Sequence, residues 1–337
     1  MAPGGQPITN YTPYNFNPIG GQFYSLGSAG EIRGLTGPGG GACNNALCPH
    51  WAVLGNDPDT VELAASGGKL YRRETTGEIR EFTGVQCKEY DQCPEWTLLD
   101  KFSSPVQIVS GAGKLYQLRS NGSISRFNGI PCVTFPLPSG VSATLCTGWE
   151  LLDNSSETIE IVASNVNLFQ RQRNGNIWKF TGTPCSGNSC PGWQLIAKDS
   201  RTVDLVAGGS SLYMFQKLGA IWKFTGLPCD TSGCPGWQMV APDNNGLTKQ
   251  VAAGSGELYR LHTNGEIWRY TGSGQNWVMV DAFSGNVEIA ASSNGLLVRR
   301  SLGEVFRHTG GVCSNGSCPG WIQIARPNII AITGARP

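Results

Sequence analysis

The sequence predicts an all-β protein, a seven-bladed β-propeller of four-stranded antiparallel blades. Three observations predict it: a seven-fold internal repeat, four short strand candidates per repeat, and chain ends whose partial repeats complement each other. The repeat is a block of the form L-Y-x-L-x-x-x-G-E-I-W-R-F-T-G, starting at Phe23, Leu70, Leu115, Leu168, Leu212, Leu258 and Leu296. Its glycines, Gly30, Gly77, Gly122, Gly175, Gly219, Gly265 and Gly303, each follow the block start by seven residues. Trp-led segments at Trp51, Trp96, Trp149, Trp193, Trp237 and Trp277 precede the later blocks, and Trp321 follows the last. From each Trp to the next block is 19 residues, or 21 after Trp237. Self-similarity at a fixed spacing on this scale marks a repeat architecture.

The elements follow in order within the 193–226 unit: WQLIA, VDLVAG, LYMFQK and AIWKFTG. Each is about five residues long, rich in β-branched and aromatic side chains, and bounded by Gly, Asn, Asp or Ser. An N-G or L-G pair between the third and fourth candidates signals a tight hairpin. No segment sustains apolar residues at helical spacing for ten residues, so helix is expected to be nearly absent. Four antiparallel strands per period of about 45 residues, repeated radially, make a propeller. The first block has FYSL and EIRGL but lacks a preceding Trp segment and V-x-L-A strand. The C-terminus supplies WIQIA (321–325) and NIIAITG (328–334), so its last strand is expected to complete the blade begun at Phe23. Closing the ring this way removes free sheet edges. Residues 1–20 fall outside the repeat and read as an irregular N-terminal extension, with Tyr11, Tyr14 and Phe16 available to pack on the body. Residues 21–337 read as a single propeller domain.

Composition excludes several classes. Of the 337 residues 46 are glycine, and charged residues make up only 15 %, against a usual share of about 25 %. Lys and Arg number 25 and Asp and Glu 24, leaving a net charge of +1. No nucleic-acid partner is expected, because displacing counterions needs a basic face. Apolar runs are a handful of residues long, so no membrane insertion is expected. A hydrophobic share of 39 % suffices for a core, which argues against disorder.

Twelve cysteines form six close pairs: Cys43/Cys48, Cys87/Cys93, Cys132/Cys146, Cys185/Cys190, Cys229/Cys234 and Cys313/Cys318. The second member always lies three residues before the Trp, giving C-x-x-W. The sixth unit alone lacks a pair, and its loop from Gly272 to Trp277 is the shortest. A short turn needs no crosslink, which suits disulfide staples. Zinc is the rival reading, but it wants four converging ligands. The pairs sit on separate repeats, and the three histidines (His50, His262, His308) match none of them. The disulfide reading implies an oxidising, secreted location. The smaller loops should contribute less than the ~3 kcal/mol of a 15-residue one. The opening MAPGGQPITN has neither the basic start nor the apolar run of a signal peptide. Sequons at Asn10, Asn121, Asn154 and Asn315 fit a secretory route.

No catalytic constellation stands out. The chain has no G-x-S-x-G, H-E-x-x-H, Walker or D-x-D-x-D-G motif, and no cofactor or metal is expected. Carboxylates after the Trp strand (Asp100, Asp153, Asp199, Asp243, Asp281) recur, which favours Asx-turn chemistry. Converging carboxylates of a glycosidase are the alternative.

Two positions vary among polar and aromatic types. One, on the G-x-I-W strand, holds Arg33, Arg80, Ser125, Trp178, Trp222, Trp268 and Phe306; the other, two past the block start, holds Ser25, Arg72, Gln117, Gln170, Met214, Arg260 and Val298. The next residue along is Leu26, Arg73, Leu118, Arg171, Phe215, Leu261 or Arg299. Packing between blades is one reading of the tryptophans. Sugar binding is the other: Trp stacks on a C–H face while Arg meets hydroxyls, and radial repetition raises avidity. The carbohydrate-binding candidates are therefore Trp178, Trp222, Trp268, Arg72, Arg171 and Arg260, clustered in the fullest repeats at 168–272 apart from Arg72.

The motifs GWQLIA, VDLVAGG, L-Y-x-L and G-x-I-W/Y-R-Y/F-T-G resemble the tectonin repeat of tectonins, tachylectin-1-type lectins and fish-egg lectins. The resemblance spans about 23–334. It implies a secreted propeller lectin in defence or recognition, binding microbial glycans, lipopolysaccharide or O-methylated sugars. The elaborated C…C-P-G-W loop and the seven units depart from many members, so the ligand is not carried over. Glycans are the expected partners, with homo-oligomerisation left open. A non-catalytic protein-interaction propeller is the alternative, which would expose an apolar patch confined to particular blades. A propeller hydrolase or lyase would instead show one cluster of perturbed carboxylates, or a His, near the channel.

Overall fold

The computed structural model describes residues 23–35, 43, 51–88, 92–102, 104–138, 140–254, 256–292, 295–325 and 329–334. The N-terminal extension, with Tyr11, Tyr14 and Phe16, lies outside the described residues. These form seven four-stranded antiparallel sheets, the blades of a closed β-propeller, and no helix. The innermost strands are Ile329–Gly334 in blade 1, then Thr60–Ser66, Pro105–Gly111, Thr158–Ala163, Thr202–Gly208, Thr248–Ala253 and Asn286–Ser292 in blades 2 to 7. Successive innermost strands touch from blade 2 round to blade 7 and on to blade 1.

Blade 1 closes the ring as expected. Its innermost strand, Ile329–Gly334, pairs with Phe23–Gly27, placing Ser25 opposite Ile332, and Glu31–Leu35 and Trp51–Asn56 complete the sheet. The sequence unit and the blade are offset by one strand. Each Trp-led strand is the outermost strand of the blade that precedes it in the chain: Trp193 pairs with Phe180, Trp237 with Phe224, Trp277 with Tyr270. WIQIA thus belongs to blade 7, and blade 1 borrows one C-terminal strand only. A tilted ring contact accompanies this pairing, with Trp193 5.2 Å from Phe180 and Trp237 5.3 Å from Phe224.

The core lies between blades. Seven apolar clusters each join two neighbours: Tyr71, Ile79 and Leu99 of blade 2 pack on Ile108 and Leu115 of blade 3, and Phe23 and Ile332 of blade 1 on Leu297 and Val305 of blade 7. A single blade buries little alone, so the ring is the folding unit. The seven Trp indoles cross these seams. Each Nε1 donates to a carbonyl of the previous blade's outermost strand: Trp96 to Leu54 (3.1 Å), Trp149 to Leu99 (2.8 Å), Trp193 to Leu152 (2.8 Å), Trp237 to Ile196 (2.7 Å), Trp277 to Val240 (2.9 Å) and Trp321 to Val280 (2.9 Å). Trp51 closes the circle on Ile324 (2.6 Å).

Polar side chains stitch the innermost strands, whose inner edges have no partner strand. Glu62 accepts from Ile108 N (3.1 Å), Gln107 from Ile161 N (2.9 Å), Glu160 from Leu205 N (3.0 Å) and Gln250 from Ile289 N (2.8 Å), each reaching the next blade. Where this residue is Glu in blades 2, 4 and 7, an Arg on the second strand neutralises it: Arg73 on Glu62 (2.7 Å), Arg171 on Glu160 (2.6 Å), Arg299 on Glu288 (2.6 Å).

The turn carboxylates do Asx work. Asp100, Asp153, Asp199 and Asp281 accept from the backbone N–H two residues on, and Asp153 and Asp199 also bind Gln170 and Gln216 of the next blade. Asp243 departs from this pattern: with two extra residues after Trp237, Asn244 takes the turn over the repeat glycine, its N donating to Leu218 O (3.0 Å) and its side chain bonding Thr248. The repeat glycine packs beneath this turn. Gly30 and Gly122 have φ of 84° and 85°, and a Cβ there would overlap the carbonyls of Asp57 and Ser155.

Five disulfides close as paired in the sequence: Cys87–Cys93, Cys132–Cys146, Cys185–Cys190, Cys229–Cys234 and Cys313–Cys318. Cys43 is also disulfide-bonded, while Cys48 lies outside the described residues. The loops do more than pin themselves: the first cysteine donates its N–H to the previous blade's outermost strand, as Cys185 to Leu151 O (3.0 Å) and Cys229 to Leu195 O (3.0 Å). The Cys132–Cys146 loop carries two strands beyond the blades, Val133–Pro136 and Ser142–Leu145, paired as a hairpin.

Candidate functional site

The two varied positions meet as cross-strand neighbours in every blade. Ser25 faces Arg33, Arg72 Arg80, Gln117 Ser125, Gln170 Trp178, Met214 Trp222, Arg260 Trp268, and Val298 Phe306. The row lies against the preceding blade: Met214 and Trp222 cluster with Val162, Phe169 and Ile196 of blade 4. Strand alternation therefore gives seven interblade seams the same frame and different side chains; Ser25, Gln117, Gln170, Met214 and Val298 are buried in theirs.

The candidate residues separate on this frame. Trp222 packs into the blade 4–5 core, with its Nε1 buried and unbonded. Trp178 is half-buried and donates to Gln172 Oε1 (3.1 Å). Arg72 lies 5.0 Å from the Trp96 ring centroid and is held by Asp57 (2.7 Å) and Glu74 (3.1 Å). Arg171 sits on the opposite blade face from Trp178, since consecutive strand residues alternate; besides Glu160 it donates to Val203 O (2.9 Å). Both arginines are thus engaged in holding the fold.

Blade 6 alone brings a candidate Arg and a candidate Trp together. The Arg260 guanidinium lies 4.5 Å from the Trp277 centroid and 5.9 Å from that of Trp268. Among the described residues it has no ion-pair partner, and its Nε is buried without a hydrogen bond. The reason is local. The turn acid that holds Arg72 is replaced by the neutral Asn244, and the place of Glu74 is taken by His262, whose N–H bonds Glu266 O (2.8 Å) as Glu74's bonds Glu78 O (2.9 Å). His262 is 7 % exposed, with Nδ1 3.6 Å from Glu266 Oε2 and Nε2 buried without a partner. Burial and the Arg260 charge hold it below the usual histidine range, so it is neutral near pH 7. Glu266 also accepts from Trp268 Nε1 (3.1 Å).

At the opposite end, where the cysteine loops lie, two further clefts open at equivalent seams. One of about 420 Å³ between blades 2 and 3 is lined by Lys69, Tyr71, Lys114, Phe127 and Asn128. Its counterpart of about 410 Å³ between blades 6 and 7 is lined by Glu257, Tyr259, Arg269, His308 and Thr309. Burial pushes the Tyr259 hydroxyl well up, so it stays protonated and donates to Glu257. The sequence reading passed over these residues. The Tyr of L-Y and the residue after the Trp of I-W-R were the available signal, but both look like framework because they recur.

Near the axis, the Glu160 and Asp204 carboxyls of blades 4 and 5 lie together. Burial and the Glu160 charge raise Asp204 well above the usual carboxylate range. Glu160 is already committed to Arg171 and Leu205 N. Among the described residues no group of three His, Cys, Asp or Glu is placed to hold a metal ion.

No family model and no curated protein matches the chain. Solved structures do match it in fold. Yeast RCC1 (Prp20) bound to Kap60 aligns with 99 % of this chain and 93 % of its own, at a TM-score of 0.57 and 10 % identity. YCF48 bound to D1 peptide aligns with 93 % of this chain and 99 % of its own, at 0.53 and 13 %. PorZ of Porphyromonas gingivalis aligns with 94 % of this chain and 38 % of its own, at 0.54 and 9 %. At such identities the likeness concerns the fold.

Proposed function

We propose that this protein is a secreted, non-catalytic lectin that binds glycans at repeated sites between its blades. The observation that carries the reading is the blade 5–6 seam, where Arg260 stands against Trp268 with no counter-ion among the described residues, beside the unbonded Nε2 of His262. An aromatic face beside unsatisfied polar atoms is the chemistry a sugar needs, with its C–H face stacked and its hydroxyls bonded. The tectonin-like repeat supports the same class, and five disulfides support an oxidising compartment. Single shallow sites bind weakly, and several on one ring gain avidity. A glycan array is the test. Retention of defined glycans is expected, falling at least about tenfold for Trp268→Ala if that stack contributes ~1.4 kcal/mol. An empty array with a folded protein refutes the reading.

One observation favours a second reading, a protein-interaction propeller. The blade 3 hairpin turns Val133, Phe135, Leu137, Val141 and Leu145 outward, at 58, 41, 39, 63 and 56 % exposure. The pairs Val133–Leu145 and Phe135–Ala143 put them on one face, with Thr134 and Thr144 on the other. No charged residue occurs from 127 to 149, and the ribbon breaks the seven-fold pattern at one blade. Two proteins of similar fold are seen with protein or peptide partners, yeast RCC1 with Kap60 and YCF48 with D1 peptide. On this reading an identified protein partner binds independently of sugar, and Phe135→Asp abolishes binding while Trp268→Ala does not. Loss with Trp268→Ala alone counts against it.

A further inference from the structure

Resting on the carbohydrate reading, we infer that the blade 5–6 groove is a subsite for an acidic sugar. Arg260 would take the carboxylate of a hexuronate, His262 Nε2 would accept from an adjacent ring hydroxyl, and Trp268 would stack on the ring. The argument is comparative. In blade 2 the equivalent guanidinium is neutralised from two sides, by Asp57 and Glu74. In blade 6 both carboxylates are gone, yet the cation is retained, half-buried between two indoles. A partly desolvated cation left without an anion is costly, and the cost is relieved when a ligand supplies one. Arginine's planar fork suits a carboxylate in bidentate contact.

The neighbouring orphan sharpens the class. His262 is more than nine-tenths buried, and with Nδ1–H turned to Glu266 its Nε2 is a bare acceptor. A simple carboxylate offers that nitrogen nothing. A carboxylate with a hydroxyl beside it offers a donor, and a pyranose ring adds the C–H face that Trp268 would cover. Glu266 marks the limit of the cationic patch, since it holds the Trp268 indole N–H at 3.1 Å and orients the ring.

The probes are glucuronate, glucose and acetate, titrated separately into the full chain and followed by calorimetry and tryptophan fluorescence. Glucuronate is expected to bind at least about tenfold more tightly than either glucose or acetate, in line with hydrogen bonds to a charged group. Arg260→Gln should erase the preference over glucose. Asn244→Asp should erase it too, by restoring the counter-ion that Asp57 provides in blade 2, in a turn that accepts Asp elsewhere. This second variant decides the matter if Arg260→Gln fails to fold. Equal binding of glucose and glucuronate overturns the acidic subsite and leaves the lectin reading standing. Acetate as tight as glucuronate overturns the sugar part; binding of neither glucuronate nor glucose overturns the subsite, and the lectin reading falls only if the glycan array is empty as well.

Discussion

Glu160 and Asp204 show how one residue can depart from the repeat without breaking it. In blades 3 and 6 the corresponding innermost-strand residue is Gln, bonding the next blade through both its amide atoms. In blade 5 it is Asp, opposite Phe215 rather than Arg, so it has no cation of its own strand pair. Burial and the Glu160 charge favour its protonated form and raise its pKa. A carboxyl with a raised folded pKa stabilises the fold most below its unfolded value of about 3.9, and that contribution is lost as pH rises toward the folded value. Burial raises Glu62 and Glu288 as well, against their Arg partners, and these act in the same direction. Asp204→Asn keeps a donor toward Glu160 and removes the titration. Thermal denaturation between about pH 4 and 9 should show the variant more stable at neutral pH, with a flatter profile. Parallel profiles for the two proteins would contradict the assignment. The candidate site divides at this scale too. Which positions vary was legible from the repeat, and they do face one another. Whether each Arg is free or neutralised was legible only in part: Glu74 lies on Arg72's own strand, while Asp57 reaches it from a turn of the preceding blade.

At the scale of the element, strands and hairpins were legible because each depends on neighbours in sequence: alternation, a left-handed glycine, a Trp at a fixed distance. Strand partnership was less so. The Trp-led segment reads as the first strand of its unit, but pairs backward with the strand before the cysteine loop. The ring contact between Phe180 and Trp193 and the indole bond to the previous blade decide this. The disulfide sits at the hinge of that pairing. Replacing Cys185 and Cys190 by Ser should therefore destabilise by less than about 3 kcal/mol, since the closed loop is short. The Cys185 N–Leu151 O bond adds about 1 kcal/mol to the loss if the loop detaches. Denaturant unfolding of oxidised wild type and the double variant measures it, and a loss well above their sum would mean that the staple holds the blade itself. The blade 3 hairpin could not be foreseen from the repeat, because it is an insertion whose pairing serves no seam.

For the whole molecule, closure is the decisive event. Residues 329–334 cover blade 1 and its seam to blade 7, where Ile329 and Ile332 pack with Phe23, Leu297 and Val305. Removing residues 326–337 should convert cooperative unfolding into a broad, low-temperature transition, with dye binding to the uncovered apolar strands. A sharp transition near that of the full chain would show that six blades and a partial seventh are self-sufficient. By itself the sequence determined the number of blades, their four strands, five of the cysteine pairs and the C-terminal closure. All of these are written as local periodicity and spacing, which survive without knowledge of neighbours. Only the tertiary structure decided which guanidinium is left without an anion, which tryptophan is core, and where clefts open. These depend on side chains that neighbouring blades bring face to face across a seam, as Asp57 meets Arg72 and Trp222 meets Val162. A repeat conceals such differences, since equivalent positions look alike until the blade beside each one is in place.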